Sequence, residues 1–230
     1  MNVSYTEFFY LVEIEGEPFL NKELKEIKLC FENKNIDKLK SLSYEYECLF
    51  NSYQILKFSH LSLIALSLSN RIQNKIDKEA TLKIKKYLLN VNEWGHYEFA
   101  LFNNLFFLFE NDDINLLIKQ CVRTATKYEN YDQISQEFIM LMSNLLIHYF
   151  STNQLSSAFS LINSLSKLKI KPENILEKTI VKFWCLLQEY LITEQEDVKN
   201  EIEKLLNYLS LIDAKELKRS LRGIFSDVIK

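Results

Sequence analysis

The side chains that could do bond-making chemistry in this 230-residue chain are scattered rather than grouped. His60, His96 and His148 are single residues. Cys30, Cys48, Cys121 and Cys185 lie far apart inside helical runs, with no CxxC and no adjacent histidine. A metal site needs clustered ligands at short spacing, so neither a metal nor another cofactor is expected. The cysteines instead suit core thiols in a reducing compartment. Glu98 sits in an apolar run and could act as a general acid. No second carboxylate, histidine or metal ligand stands at helical spacing to it, so a structural glutamate bonded to a tyrosine hydroxyl or the backbone is expected. Phosphate loops and nucleophile elbows are absent from the sequence, and the chain is not expected to be an enzyme.

What remains are amides set among apolar residues. Asn144 lies off the core face formed by Phe138, Met142, Leu145 and Tyr149, beside Met140, Ile147 and His148. An apolar groove with isolated amides suits an extended peptide, because asparagine both donates to and accepts from a ligand backbone. The competing reading is an asparagine bonded to a neighbouring helix. Asn104 is similar, with Ala100 and Phe107 beside it. The basic clusters Lys83–Lys86 and Lys218–Arg222 alternate with apolar residues and suit solvated faces, with a dimer contact as the alternative for the second. A net charge of −3 argues against a basic nucleic-acid face over the whole chain.

The elements that must position these residues are helices. Three glycines and two prolines are far below the average of about 7% and 5%, too few turn residues for a sheet. The organising stretch is Trp94–Phe109, WGHYEFALFNNLFFLF, whose polar exceptions are His96, Glu98, Asn103 and Asn104. A helix apolar almost all round is buried on several sides, and this one is too short to span a bilayer. Periodicity and caps predict eleven others: Ser4–Ile14, Lys22–Asn33 capped by Asn21, Ile36–Phe50, Ser52–Asn74, Asp77–Leu89, Ile114–Tyr128, Asp132–Phe150, Gln154–Leu168, Glu173–Ile192 led by Pro172, Glu196–Leu211 and Ala214–Ile229. Short loops imply antiparallel pairs. Without a linker or composition shift, residues 1–230 are expected to form one helical-repeat domain. Met142, Leu145, Tyr149, Ala158, Ile162 and Leu165 fall at tetratricopeptide offsets, with Leu146 where that motif prefers a small residue. The expected fold is all-α, a tetratricopeptide-like right-handed superhelix with a concave inner face. Met1–Tyr10 carries Glu7 and no basic n-region, so a cytoplasmic protein is expected.

YLLNVNEWGHYEFALFNN (Tyr87–Asn104) resembles the hallmark of the Rgg/GadR/MutR family of transcriptional regulators, in its C-terminal regulatory domain. Thr6-Glu-Phe8, KNIDKL (Lys34–Leu39), SNLLIHYF (Ser143–Phe150) and EKT (Glu177–Thr179) fit in order. The resemblance implies a usually dimeric domain that binds a short secreted peptide on its concave face. It implies a peptide site at Asn144, Asn104, Phe107, Lys28, Ile147 and Lys178. Phe107 stands where some relatives carry an arginine, and Lys28 aligns with a basic position that would hold a peptide carboxylate. The family's helix-turn-helix is not found in these residues, so this chain as given is not expected to bind operator DNA. A homodimer using the C-terminal helices is expected from the wide apolar side of Ala214–Ile229 (Leu217, Leu221, Ile224, Phe225 and Val228). The rival expectation is a helical-repeat adaptor that binds a protein partner and no small peptide.

Overall fold

The computed structural model describes residues 19–75, 78–127 and 132–229. Among them every long regular element is an α-helix: α1 Phe19–Glu32, α2 Ile36–Tyr53, α3 Leu56–Ile72, α4 Lys78–Asn90, α5 His96–Leu105, α6 Asn111–Lys127, α7 Asp132–Ser151, α8 Leu155–Leu165, α9 Ile175–Thr193, α10 Glu196–Leu211 and α11 Lys215–Val228. The predicted helix at Ser4–Ile14 and the predicted start at Asp77 lie outside the described residues. With so few glycines available, helices end on ordinary residues in the left-handed conformation. Lys34, Gln54, Asn74, Asn153, Glu194 and Asp213 all have φ between 52° and 59°. Each carries a Cβ penalty of about 1–2 kcal/mol that glycine would avoid.

Two compact units are present, Met1–Asn90 with Phe107–Asp113, and Val91–Phe106 with Ile114–Lys230. In the first, the Asn35 side chain caps α2 by accepting from the Lys38 N–H at 3.0 Å. Helices α2 and α3 turn back on each other across residues 54–55 and pack closely. Leu39, Leu42 and Tyr46 meet a core that includes Leu61, Ile64, Ala65 and Leu68. Serines allow the close approach: the Ser43 and Ser62 hydroxyls hydrogen-bond at 3.1 Å. Ser67 and Ser69 are buried, and neither hydroxyl has a hydrogen-bond partner among the described residues. The Tyr46 hydroxyl donates to Glu23. His60 is buried edge-on to Tyr87 at 4.5 Å, joining α3 to α4.

The second unit is an array of helix pairs. Trp94 stands edge-on to Phe99 and Phe102 at 5.8 and 5.6 Å, and Phe99 stands edge-on to Phe138 at 6.4 Å. Full burial of each ring contributes on the order of 2–3 kcal/mol, so this cluster fixes α5 on α7. Helices α5, α7 and α9 run parallel with a common register. His96 pairs with Glu137, Asn103 with Asn144 and Ser143 with Trp184, each pair 41 positions apart. Met142, Leu145, Tyr149, Ala158, Ile162 and Leu165, the tetratricopeptide positions, are all buried. Leu146, the departure from that pattern, is buried with them.

Four expectations are corrected. Trp94–Phe109 is not one helix. Gly95, in extended backbone, caps α5, the last turn tightens to a 3-10 turn at Phe106–Leu108, and the run passes from the second unit to the first. Pro172 does not begin a helix: α9 starts at Ile175 after a turn, with Asn174 at its cap position. Asn21 lies inside α1, which already begins at Phe19. Finally, only Cys121 of the four cysteines is a core thiol; Cys48 is exposed, being off the Leu39–Leu42–Tyr46 stripe of α2. Burial pushes the Cys121 thiol pKa well up.

Candidate functional site

Glu98 explains how α5 presents its amides. Its carboxylate accepts from the Gly95 N–H at 2.8 Å, which satisfies one of the unpaired donors of a helix start and places negative charge at the positive end of the helix. The carboxylate therefore has a backbone partner and a structural job. The same helix position in α9 is taken by another buried glutamate, Glu177.

One and a half turns further along α5, Asn103 and Asn104 have different fates. The Asn104 side chain donates to the Ala100 carbonyl of its own helix at 2.8 Å. Asn103 accepts from the Asn144 amide at 2.8 Å, and both are half-buried. Asn144 thus bonds to the neighbouring helix, and one amide bond leaves it a second donor hydrogen and its carbonyl oxygen. Along α7, Met140 and Ile147 flank Asn144 and are 51% and 41% exposed. His148 meets Phe106 edge-on at 5.6 Å. Ile147 also lines a mostly apolar cavity of about 300 Å³ with Phe150, Leu155, Leu191, Ile224 and Val228, with Ser151, Asn153 and Asp227 also in its wall.

The structure brings Asn144 and Ile147 together and adds Asn103, which the sequence offered only as a polar exception. Lys178 is exposed in the first turn of α9, and its side chain makes no hydrogen bond or ion pair among the described residues. Lys28 and Phe107 belong to the first unit. Lys28 is exposed and lies 3.8 Å from Glu32 on its own helix. The Phe107 ring carries the Arg71 guanidinium at 4.0 Å from its centre. Partial burial pulls the Arg71 pKa below the usual arginine value, yet a guanidinium remains cationic at neutral pH. Sequence reasoning passed over Arg71, although it is the only arginine before Arg123. That rarity was the available signal.

No group of three or more His, Cys, Asp or Glu side chains among the described residues is placed to hold a metal ion. His60, His96 and His148 stand in three separate settings, with Tyr87, Glu137 and Phe106. No described helix is long and apolar enough to cross a membrane. The side of α7 that carries Asn144 thus sets one half-buried amide among exposed apolar side chains.

Comparison with known proteins agrees with this architecture. The family described as HTH-type transcriptional regulator Rgg, C-terminal domain, matches residues 33–222. RopB is similar at 19% identity, covering 96% of this chain and 97% of that one, with a TM-score of 0.75. The SHP pheromone receptor Rgg2 of Streptococcus dysgalactiae is 19% identical over 99% of this chain and 80% of that one, with a TM-score of 0.70. PrgX in its complex with cCF10 is 16% identical over 99% and 86%, with a TM-score of 0.67. At these identities the solved structures speak for the fold, an all-α, tetratricopeptide-like helical array. With most of its length matched by the family model, the chain belongs to the Rgg family of transcriptional regulators, as its C-terminal domain.

Proposed function

We propose that this chain is the peptide-sensing and dimerisation domain of a quorum-sensing transcriptional regulator. It binds a short signalling peptide rather than catalysing a reaction. The observation that carries the reading is the solvent-facing side of α7, where Asn144, with bonding capacity to spare, stands between the exposed Met140 and Ile147. The cavity beside Ile147 is of a size and apolarity suited to an anchor side chain. A related solved structure is a pheromone receptor, which supports the same assignment. Lys178, exposed on α9, is available to a ligand carboxylate. Lys28, engaged with Glu32, is less so. Asn104 orders its own helix and acts on the site through α5.

In this reading the two units are parts of one regulatory domain, because the family match runs through both. The protein works in the cytoplasm, and operator binding belongs to a helix-turn-helix rather than to this region. Dimerisation uses the C-terminal helices, though not through the apolar side expected from the sequence, whose Leu221 and Phe225 are buried within the chain; Leu211, 85% exposed, and the exposed Tyr208, Ile212 and Ile229 are the apolar residues left to meet a second copy. The test is fluorescence polarisation with synthetic peptides encoded by short reading frames next to the gene. Saturable binding that weakens in Asn144→Ala and in Ile147→Glu is expected. Binding indifferent to both substitutions would overturn the assignment of the site. No binding of any such peptide would favour a protein-partner adaptor.

A further inference from the structure

Helix α8, LSSAFSLINSL, carries no charged residue, although Ser156, Ser160, Asn163 and Ser164 are exposed. Solvent-facing helix positions normally hold Glu, Lys or Gln, which are better helix formers than serine. Beside it stands α6, with three cations in its second half: Lys119, Arg123 and Lys127. Lys127 pairs with Glu93. Lys119 and Arg123 are exposed and have no ionic partner among the described residues. A groove of about 650 Å³ runs between the two helices, lined by Lys119 and Arg123 on one wall and Ser156, Ser157, Ser160 and Ser164 on the other. Tyr149, only 1% exposed, also lines it. The Tyr149 hydroxyl reaches Asn115 Oδ1 at 3.4 Å, long against the usual ~2.7–2.8 Å for such a bond. A buried phenol with bonding capacity left over therefore lies at a groove walled by unpaired cations.

We propose that the α6–α8 groove is a second binding site, which takes an extended acidic segment of a partner protein. The spacing fits. Lys119 and Arg123 are separated by about 6 Å of helix rise, and alternate side chains of an extended chain recur at about 6.6–6.8 Å. Two carboxylates at alternate positions can meet both cations with charge-assisted bonds. The serine hydroxyls, able to donate and accept, serve the main-chain amides between them. Ile118, Val122 and Leu161, also in the lining, cover the apolar stems. A nucleic acid is the poorer occupant. The groove offers two unpaired cations and no exposed aromatic ring on which a base could stack, in a chain of net charge −3. Of the site proposed on α5 and α7, Leu155 in the wall of the cavity beside Ile147 lies on α8, but it does not line this groove, and the substitutions below leave it in place, so the two assignments are tested separately.

The experiment titrates the 230-residue protein into a short fluorescein-labelled peptide of alternating glutamate and leucine at low salt. Saturable binding is expected, weakening as salt screens the charges. The doubly reversed variant Lys119→Glu/Arg123→Glu should bind at least about tenfold more weakly. So should Ser160→Glu, which sets a carboxylate in the opposite wall and leaves both cations in place. Both variants should melt within a few degrees of wild type, and Asn144→Ala should bind the probe as wild type does. If charge reversal unfolds the protein, the neutral pair Lys119→Gln/Arg123→Gln decides by the same loss. The proposal is overturned by absence of saturable binding, or by retained affinity in the folded groove variants. It is equally overturned if inorganic phosphate or an oligothymidylate displaces the probe as well as the unlabelled peptide does, since the site would then be a phosphate site.

Discussion

The amide pair between α5 and α7 gives a prediction with two opposed arms. In the free protein the Asn144 amide donates to Asn103 at 2.8 Å, with both side chains half-buried. Asn144→Ala removes that bond, but water can reach the Asn103 oxygen. The structural loss should sit at the low end of the usual range, about 0.5 kcal/mol, or roughly 1–2 °C in Tm for a chain of this length. A peptide bonded to Asn144 loses about 1–2 kcal/mol on the same substitution, roughly 5–30-fold in Kd. Asn103→Ala acts in the opposite sense. It removes the partner with which the ligand must compete, so affinity should hold or tighten by up to about fivefold. The assay is polarisation titration of the labelled peptide against both single variants and the double variant, with thermal melts alongside. If Asn103→Ala weakens binding as much as Asn144→Ala, and both lower Tm by more than about 5 °C, the pair is architecture and not a binding element.

Three further outcomes are expected. Ser69→Ala should raise stability by about 1 kcal/mol in urea unfolding, because Ser69 is 0% exposed and its hydroxyl has no partner among the described residues; a loss of stability would show that the hydroxyl is bonded. Burial pushes the Tyr149 phenol pKa up to about 12 from 10.0. A group raised in the folded state contributes fully below its unfolded value and loses that contribution as pH rises through the folded one, so the window is about pH 10 to 12. The loss is roughly 2–3 kcal/mol, and Tyr149→Phe should escape it; parallel alkaline losses in the two proteins would refute the assignment. Leu211→Glu, at the most exposed large apolar side chain described, should convert a dimer to a monomer in sedimentation without changing the helical circular dichroism; an unchanged dimer would place the interface elsewhere.

Much of the fold was legible because long amphipathic runs with recognisable caps leave few alternatives. Helix α10 spans Glu196–Leu211 as predicted, and the ends of α2 and α7 fall within a few residues of expectation. The misses have local causes. In Trp94–Phe109 composition promised one long buried helix, but a glycine and a glutamate three residues later set the true start. Neither hydrophobic periodicity nor burial registers a cap of that kind. Pro172 carries a preference for helix starts that its neighbours did not follow. The site was legible by type and not by partner. Asn144 and Ile147 were visible as polar and apolar residues off the core face of one helix. The bond to Asn103 joins residues 41 apart on helices whose register no local pattern encodes. The cation over Phe107 is Arg71, from the far end of α3, and one-dimensional spacing could not bring the two together.

The 41-residue spacing shared by the bonds on α5, α7 and α9 ties these helices together side chain by side chain. The rungs, Glu137 to His96, Asn144 to Asn103 and Trp184 to Ser143, are side-chain bonds between neighbouring parallel helices. Turning one helix by a single residue swings its side chains by about 100°, which a hydrogen bond cannot follow. A turn of α5 against α7 therefore breaks both of their rungs together.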